Sequence, residues 1–136
     1  MDFLKTIAVA ASGLKAQSGR MRVIAENIAN ADSTAARPGA DPYRRRIPTF
    51  VEKLDRELGV RTVTLGRVRE DQSEFRTRFD PGHPAADEDG QVKLPNVSSL
   101  VESMDMREAQ RSYEANLNLV NATRRMLSRT IEILRA

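Results

Sequence analysis

The chain has no cysteine, no tryptophan, a single histidine, and only two tyrosines and four phenylalanines in 136 residues. The missing cysteine excludes disulfides, thiolate chemistry and Cys-ligated zinc, while leaving the compartment open. The lone His83 leaves no imidazole pair to hold a catalytic metal. With 40% apolar residues and so few aromatics, the chain holds one domain's worth of sequence at most and no large independent core. No run approaches the ~20 apolar residues needed to cross a bilayer. The short stretch Ile7–Ala11, between Asp2, Lys5 and a glycine-containing helix, lacks the basic and apolar regions of a cleaved secretory signal. Export, if it occurs, is expected to use a route without one. A net charge of +3 is slight, and it arises from Arg-rich basic residues almost balanced by carboxylates. Nucleic-acid binders usually concentrate positive charge more than this, and basic charge alone decides nothing; no nucleic-acid partner is expected.

Proline is absent from both ends: all six prolines lie between Pro38 and Pro95. Because proline breaks helix interiors, the chain divides into 1–30, 31–96 and 97–136, with helix expected over about 2–30 and about 97–134. Each end carries an apolar repeat of period seven. Ile7, Leu14, Met21 and Ile28 form the first, and Met106, Tyr113, Val120, Leu127 and Leu134 the second. A seven-residue step keeps one seam facing a partner helix, as in a coiled coil. The expected fold is therefore mainly α, with two long terminal helices pairing as a coiled coil around a small β-hairpin or irregular middle segment. These nine residues are the expected assembly seam. Leu117, Leu119, Met126, Ile131 and Ile133 broaden the apolar surface of the second helix beyond one face, so one intramolecular partner would not cover it.

The first helix is rich in small residues, among them Ala8, Ala10, Ser12, Gly13, Ala16 and Gly19. Glycine inside a helix costs roughly 1 kcal/mol relative to alanine. Small residues nevertheless allow other helices to approach closely. This helix is expected to end at Ala29–Asn30, with Asn30 able to take a left-handed cap. Asn96 is the candidate N-cap of the second helix. In between, alternation over Thr62–Leu65 and Phe75–Phe79 predicts strands, and Phe50–Leu58 is ambiguous between strand and helical turn. Asp80–Pro84 and Asp87–Gly90 predict turns.

No catalytic constellation emerges. His83 in its Gly-His-Pro turn and the acidic run Asp87–Gly90 read as turns rather than as a metal or calcium site. No phosphate loop or nucleophile elbow is present. No cofactor is expected, and the chain does not read as an enzyme. The basic patch Tyr43–Arg46 could meet phosphate, but without interleaved aromatics it reads as a solvated or subunit-contact surface. Asn116, beside Tyr113, reads as a polar seam residue that selects one helix alignment.

Three motifs together resemble the rod and hook axial proteins of the bacterial flagellum. The first runs from Ser12-Gly13-Leu14-Lys15-Ala16-Gln17 to Asn27-Ile28-Ala29-Asn30-Ala31-Asp32-Ser33-Thr34. The second is Pro42-Tyr43-Arg44-Arg45, with Asp80–Asp87 and Pro95-Asn96-Val97. The third runs from Met104 to Asn116. The second motif is similar to the proximal-rod branch of that family. Gln91 departs from the pattern, where an aromatic residue is expected. The resemblance implies a structural subunit of the basal-body rod that polymerises through its terminal helices into a torque-transmitting shaft in the periplasm. Implied partners are copies of itself, other proximal and distal rod subunits, the rod–membrane-ring junction protein, and the flagellar type III export apparatus. It also implies that Asn27, Asn30 and Thr34 fix the chain's exit from the first helix and that Tyr43 anchors its return. The competing reading is a cytoplasmic coiled-coil adaptor or regulator using the basic patch.

Overall fold

The computed structural model describes residues 2–135. Helix α1 spans Phe3–Ala29 and helix α2 spans Ser99–Arg135. Between them lie six short strands: β1 (Arg46–Ile47), β2 (Phe50–Asp55), β3 (Val60–Leu65), β4 (Arg69–Glu70), β5 (Arg76–Phe79) and β6 (Gln91–Leu94). They form three antiparallel pairs, β1 with β4, β2 with β3, and β5 with β6. The molecule is mainly helical with a small β middle.

Local chemistry explains most boundaries. Asp2 opens α1, its Oδ1 accepting the Lys5 amide at 3.2 Å. At the other end Asn30 does not take the left-handed conformation expected of it. Among the described residues no non-glycine has a positive φ. Instead the Asn30 Nδ2 donates at 2.8 Å to the Glu26 carbonyl, which also accepts the Asn30 amide at 3.1 Å. Asn96 does not cap α2 either. The first helical bond runs from the Glu102 amide to the Ser98 carbonyl, while the Asn96 side chain is engaged elsewhere. Segment 50–58 resolves as strand followed by a turn. Asp55 Oδ1 accepts the amides of Glu57 and Leu58, and Gly59 supplies the positive φ of 63° that the hairpin needs. Strands β3 and β5 fall on the alternating stretches read from the sequence. The turns at 80–90 also form. His83 Nδ1 accepts the Ala85 amide at 3.0 Å, and Asp87 Oδ1 accepts those of Asp89 and Gln91.

By packing, the chain divides into two units. The first comprises the chain up to Met21, Pro48–Arg67, and everything from Arg107. Its helices run antiparallel. Gly13 lies so close to α2 that a Cβ there would sit 3.0 Å from the Asn116 amide, and Arg20 pairs with Glu108 at 3.6 Å. Ala10, Ala16 and Ala109 are buried alongside Gly13, so the seam here is made of small residues. The β2–β3 hairpin docks on α1 through Leu65, against which a Cβ at Gly19 would press at 2.9 Å, and through the Val63 amide donating to Ser12 Oγ.

The second unit comprises Arg22–Ile47 and Val68–Met106. Its apolar core is Val23, Ile24, Ala31, Ala85, Val92, Pro95 and Val97. Within this core Asn27 and Glu102 are both 0% exposed. Two fully buried polar side chains require partners, because an unpaired buried charge or amide is costly.

Candidate assembly surface

Those partners come from the segment 43–46. Asn27 makes four hydrogen bonds. Its Oδ1 accepts the Tyr43 hydroxyl at 2.8 Å and the Arg46 amide at 2.9 Å, and its Nδ2 donates to the Arg46 carbonyl at 2.8 Å and to Glu102 Oε2 at 3.0 Å. The other Glu102 oxygen receives the Nε–H of Arg45. Arg45 also reaches Asp71 at 3.5 Å and Asp105 at 3.6 Å. Its amide donates to Asn96 Oδ1, and the Asn96 Nδ2 in turn donates to the Asp71 carbonyl. One asparagine and one arginine thus tie together the end of α1, the return of the chain, the loop after β4 and the start of α2.

The electrostatics follow from this geometry. Burial of the Arg45 guanidinium opposes its charge, but the hydrogen bond and charge of Glu102, with Asp71 and Asp105, outweigh that and hold it protonated beyond its ordinary range. The Ser73 amide and hydroxyl, followed by Arg45, hold the Asp71 carboxyl below its usual value. Burial, reinforced by Glu26 and Glu102, raises the Tyr43 phenol despite nearby Arg46. Tyr43 therefore stays a neutral donor to Asn27.

The segment Tyr43–Arg46 is thus only partly solvated, with Arg46 exposed and Arg44 and Arg45 half-buried. Arg44 lies over the Phe75 ring at 4.3 Å and donates to the Asp71 carbonyl. Arg45 is held in the clasp, and Arg46 pairs with Glu26 at 3.0 Å. All three guanidinium groups are engaged within the chain. No local pattern in the sequence marks Glu102, Asp71 and Asp105 as partners of this segment. The one available signal was spacing: Glu102, Ala109, Asn116 and Thr123 also recur every seven residues.

That second row is the one α2 buries most deeply. Glu102, Ala109 and Thr123 are at most 2% exposed, and Asn116 is half-buried beside Gly13. The apolar rows read from the sequence lie to its side. Ile7, Leu14, Met21, Met106, Tyr113 and Val120 are half-buried, whereas Ile28, Leu127 and Leu134 are exposed. Asn116 donates to the Ser112 carbonyl of its own helix at 3.0 Å. Asn27, Asn30 and Tyr43 act as described above, and Thr34 is half-buried. From Arg124 to Arg135 every residue of α2 is exposed, including Met126, Leu127, Ile131, Ile133 and Leu134. Arg124, Arg125 and Arg129, with Asn121, Ser128 and Glu132, line the polar side of this segment. This segment of α2 is amphipathic, and its own chain does not cover it. Among the described residues no helix is long and apolar enough to cross a membrane.

Comparison with known proteins identifies the chain's relatives. The family described as flagella basal body rod protein matches residues 7–36, and the one described as flagellar basal body rod FlgEFG protein C-terminal matches residues 88–133. The flagellar basal-body rod protein FlgC of Agrobacterium fabrum is 51% identical, covering 94% of this chain and 92% of its own. FlgC of Salmonella typhimurium is 37% identical, with 98% of each chain covered. FlgC of Aquifex aeolicus is 39% identical, with 97% of each covered. These names denote structural rod proteins, not enzymes. The chain belongs to the FlgC family and is a structural subunit of the flagellar basal-body rod.

Proposed function

We propose that this subunit polymerises through its terminal helices into the proximal part of the rod, the shaft that carries motor torque outward. The observation that carries the reading is the run of exposed apolar residues on α2, from Leu117 and Leu119 to Ile131 and Leu134, at helical spacing and with no cover from the chain itself. Burying each such side chain contributes roughly 1.5–3 kcal/mol, against roughly 1–2 kcal/mol per residue for ordering backbone. Several helical neighbours are therefore needed before the last turns of α2 are stable.

The partners on this reading are further copies of the chain, the other proximal and distal rod subunits, and the rod–membrane-ring junction protein. The location is the periplasm, reached through the flagellar type III apparatus without a cleaved signal. The cytoplasmic adaptor reading is not favoured, because the relatives are flagellar basal-body rod proteins. Deletion of the gene in its host, scored by swimming and electron microscopy of basal bodies, tests the proposal. Basal bodies that stop at the inner-membrane ring support it, and intact rods with normal swimming sink it.

A further inference from the structure

Small side chains make shallow ridges, and shallow ridges leave several alignments of two helices close in energy. The buried row of α2 contains Ala109 and Thr123, and that of α1 contains Ala10, Gly13 and Ala16. That seam, in the first unit, is keyed by Asn116 against Gly13 and by Arg20 on Glu108. In the second unit the two helices meet through the buried pair Asn27 and Glu102. Asn27 satisfies all four of its hydrogen-bonding positions only where it faces Glu102, Tyr43 and Arg46 together. A slip of one residue turns a helix by about 100°, and a slip of one turn moves it 5.4 Å. Either displacement leaves the Glu102 carboxylate buried without Arg45, or Asn27 buried without its acceptors.

We propose that the Asn27–Glu102–Arg45 clasp is a registration device, which selects one alignment of α1 on α2 in the second unit and adds little to net stability. A buried ion pair recovers its desolvation cost only approximately. Replacing both partners by apolar residues is often neutral, whereas removing one strands a charge. What the clasp contributes is the penalty it places on every wrong alignment. Register matters here because it decides which side chains of the two helices lie side by side on the outer surface.

The test uses the full chain, which has no native cysteine. Spin labels are placed on cysteines introduced at exposed Arg22 and Leu100, in the otherwise natural chain and in R45M/E102M. Denaturant unfolding is measured on both, and on R45M and E102M separately. Each single variant is expected to raise the unfolding constant on the order of a thousandfold. The double variant strands no charge in this pair and leaves one Asn27 hydrogen unpaired, so it is expected to be at least about tenfold more stable than either single variant. Its label separation should broaden into populations about one helical turn apart, where the natural chain shows one. A double variant with a single, natural separation overturns the proposal. So does one as destabilised as the single variants, since the clasp would then be a source of stability instead.

Discussion

The two units of the molecule solve helix packing in opposite ways. In the second, a polar cluster sits inside an apolar core, and every polar atom of Asn27 has its partner. In the first, the inner seam is Gly13, Ala10, Ala16 and Ala109, while the large apolar residues of α2 point outward. The same heptad spacing underlies both. What differs is which row faces inward and what it carries. The second unit pairs its buried Asn27 and Glu102 within the chain, while leaving Phe79, Leu100 and Met104 exposed. The first leaves Ile131, Ile133 and Leu134 in water, and on the proposed function it is neighbours that cover them.

Breaking the clasp gives the largest effect. Glu102→Ala strands Arg45 and an Asn27 donor in a closed site and is expected to cost about 3–5 kcal/mol in denaturant unfolding. A cost below 1 kcal/mol would remove the contrast between the units. Next comes the small-residue seam. Gly13→Val forces branched carbon where even a Cβ would lie 3.0 Å from Asn116, and is expected to cost about 1–3 kcal/mol, read from the thermal midpoint.

Acid sharpens the comparison further. The Asp71 carboxyl titrates below its ordinary range in the folded chain, so its contribution to stability is present above the unfolded value and is lost as pH falls through the folded one. Asp71→Asn should therefore flatten the acid limb of the stability profile while leaving the neutral-to-alkaline limb parallel to that of the natural chain. The smallest effect on the isolated chain is expected at the outer surface. Ile131→Asp alters an exposed residue and should change monomer stability by no more than about 0.5 kcal/mol. The same variant should fail to restore swimming to a deletion strain, and full restoration would detach that row from assembly.

Much of the fold was legible because helices announce themselves locally. Period-seven apolar rows and the confinement of proline to the middle located α1 and α2, and alternation located β3 and β5. The clasp was not legible, because its parts are scattered along the chain at Asn27, Tyr43, Arg45, Asp71 and Glu102, and pairing over such separations leaves no local pattern. The arginines of 43–46 illustrate the difficulty: a dense basic run looks solvated until the carboxylates folded against it are known. Asn96 misled for a similar reason. Its position before α2 suits a cap, yet the Arg45 amide and the Asp71 carbonyl claim its side chain. The motifs containing Asn27 and Asn30 and, separately, Tyr43 carry no sign that Glu102 meets them.

Amide hydrogen exchange on the dilute full-length monomer tests most directly whether folding and assembly are divided between these units. Slow exchange is predicted for Val23–Asn27 and Glu102–Met106, around the clasp, with fast exchange from Leu127 to Arg135, where no side chain is covered. Equal and strong protection of the last turns of α2 in the monomer would contradict the account, because that segment would then need no neighbour to hold it.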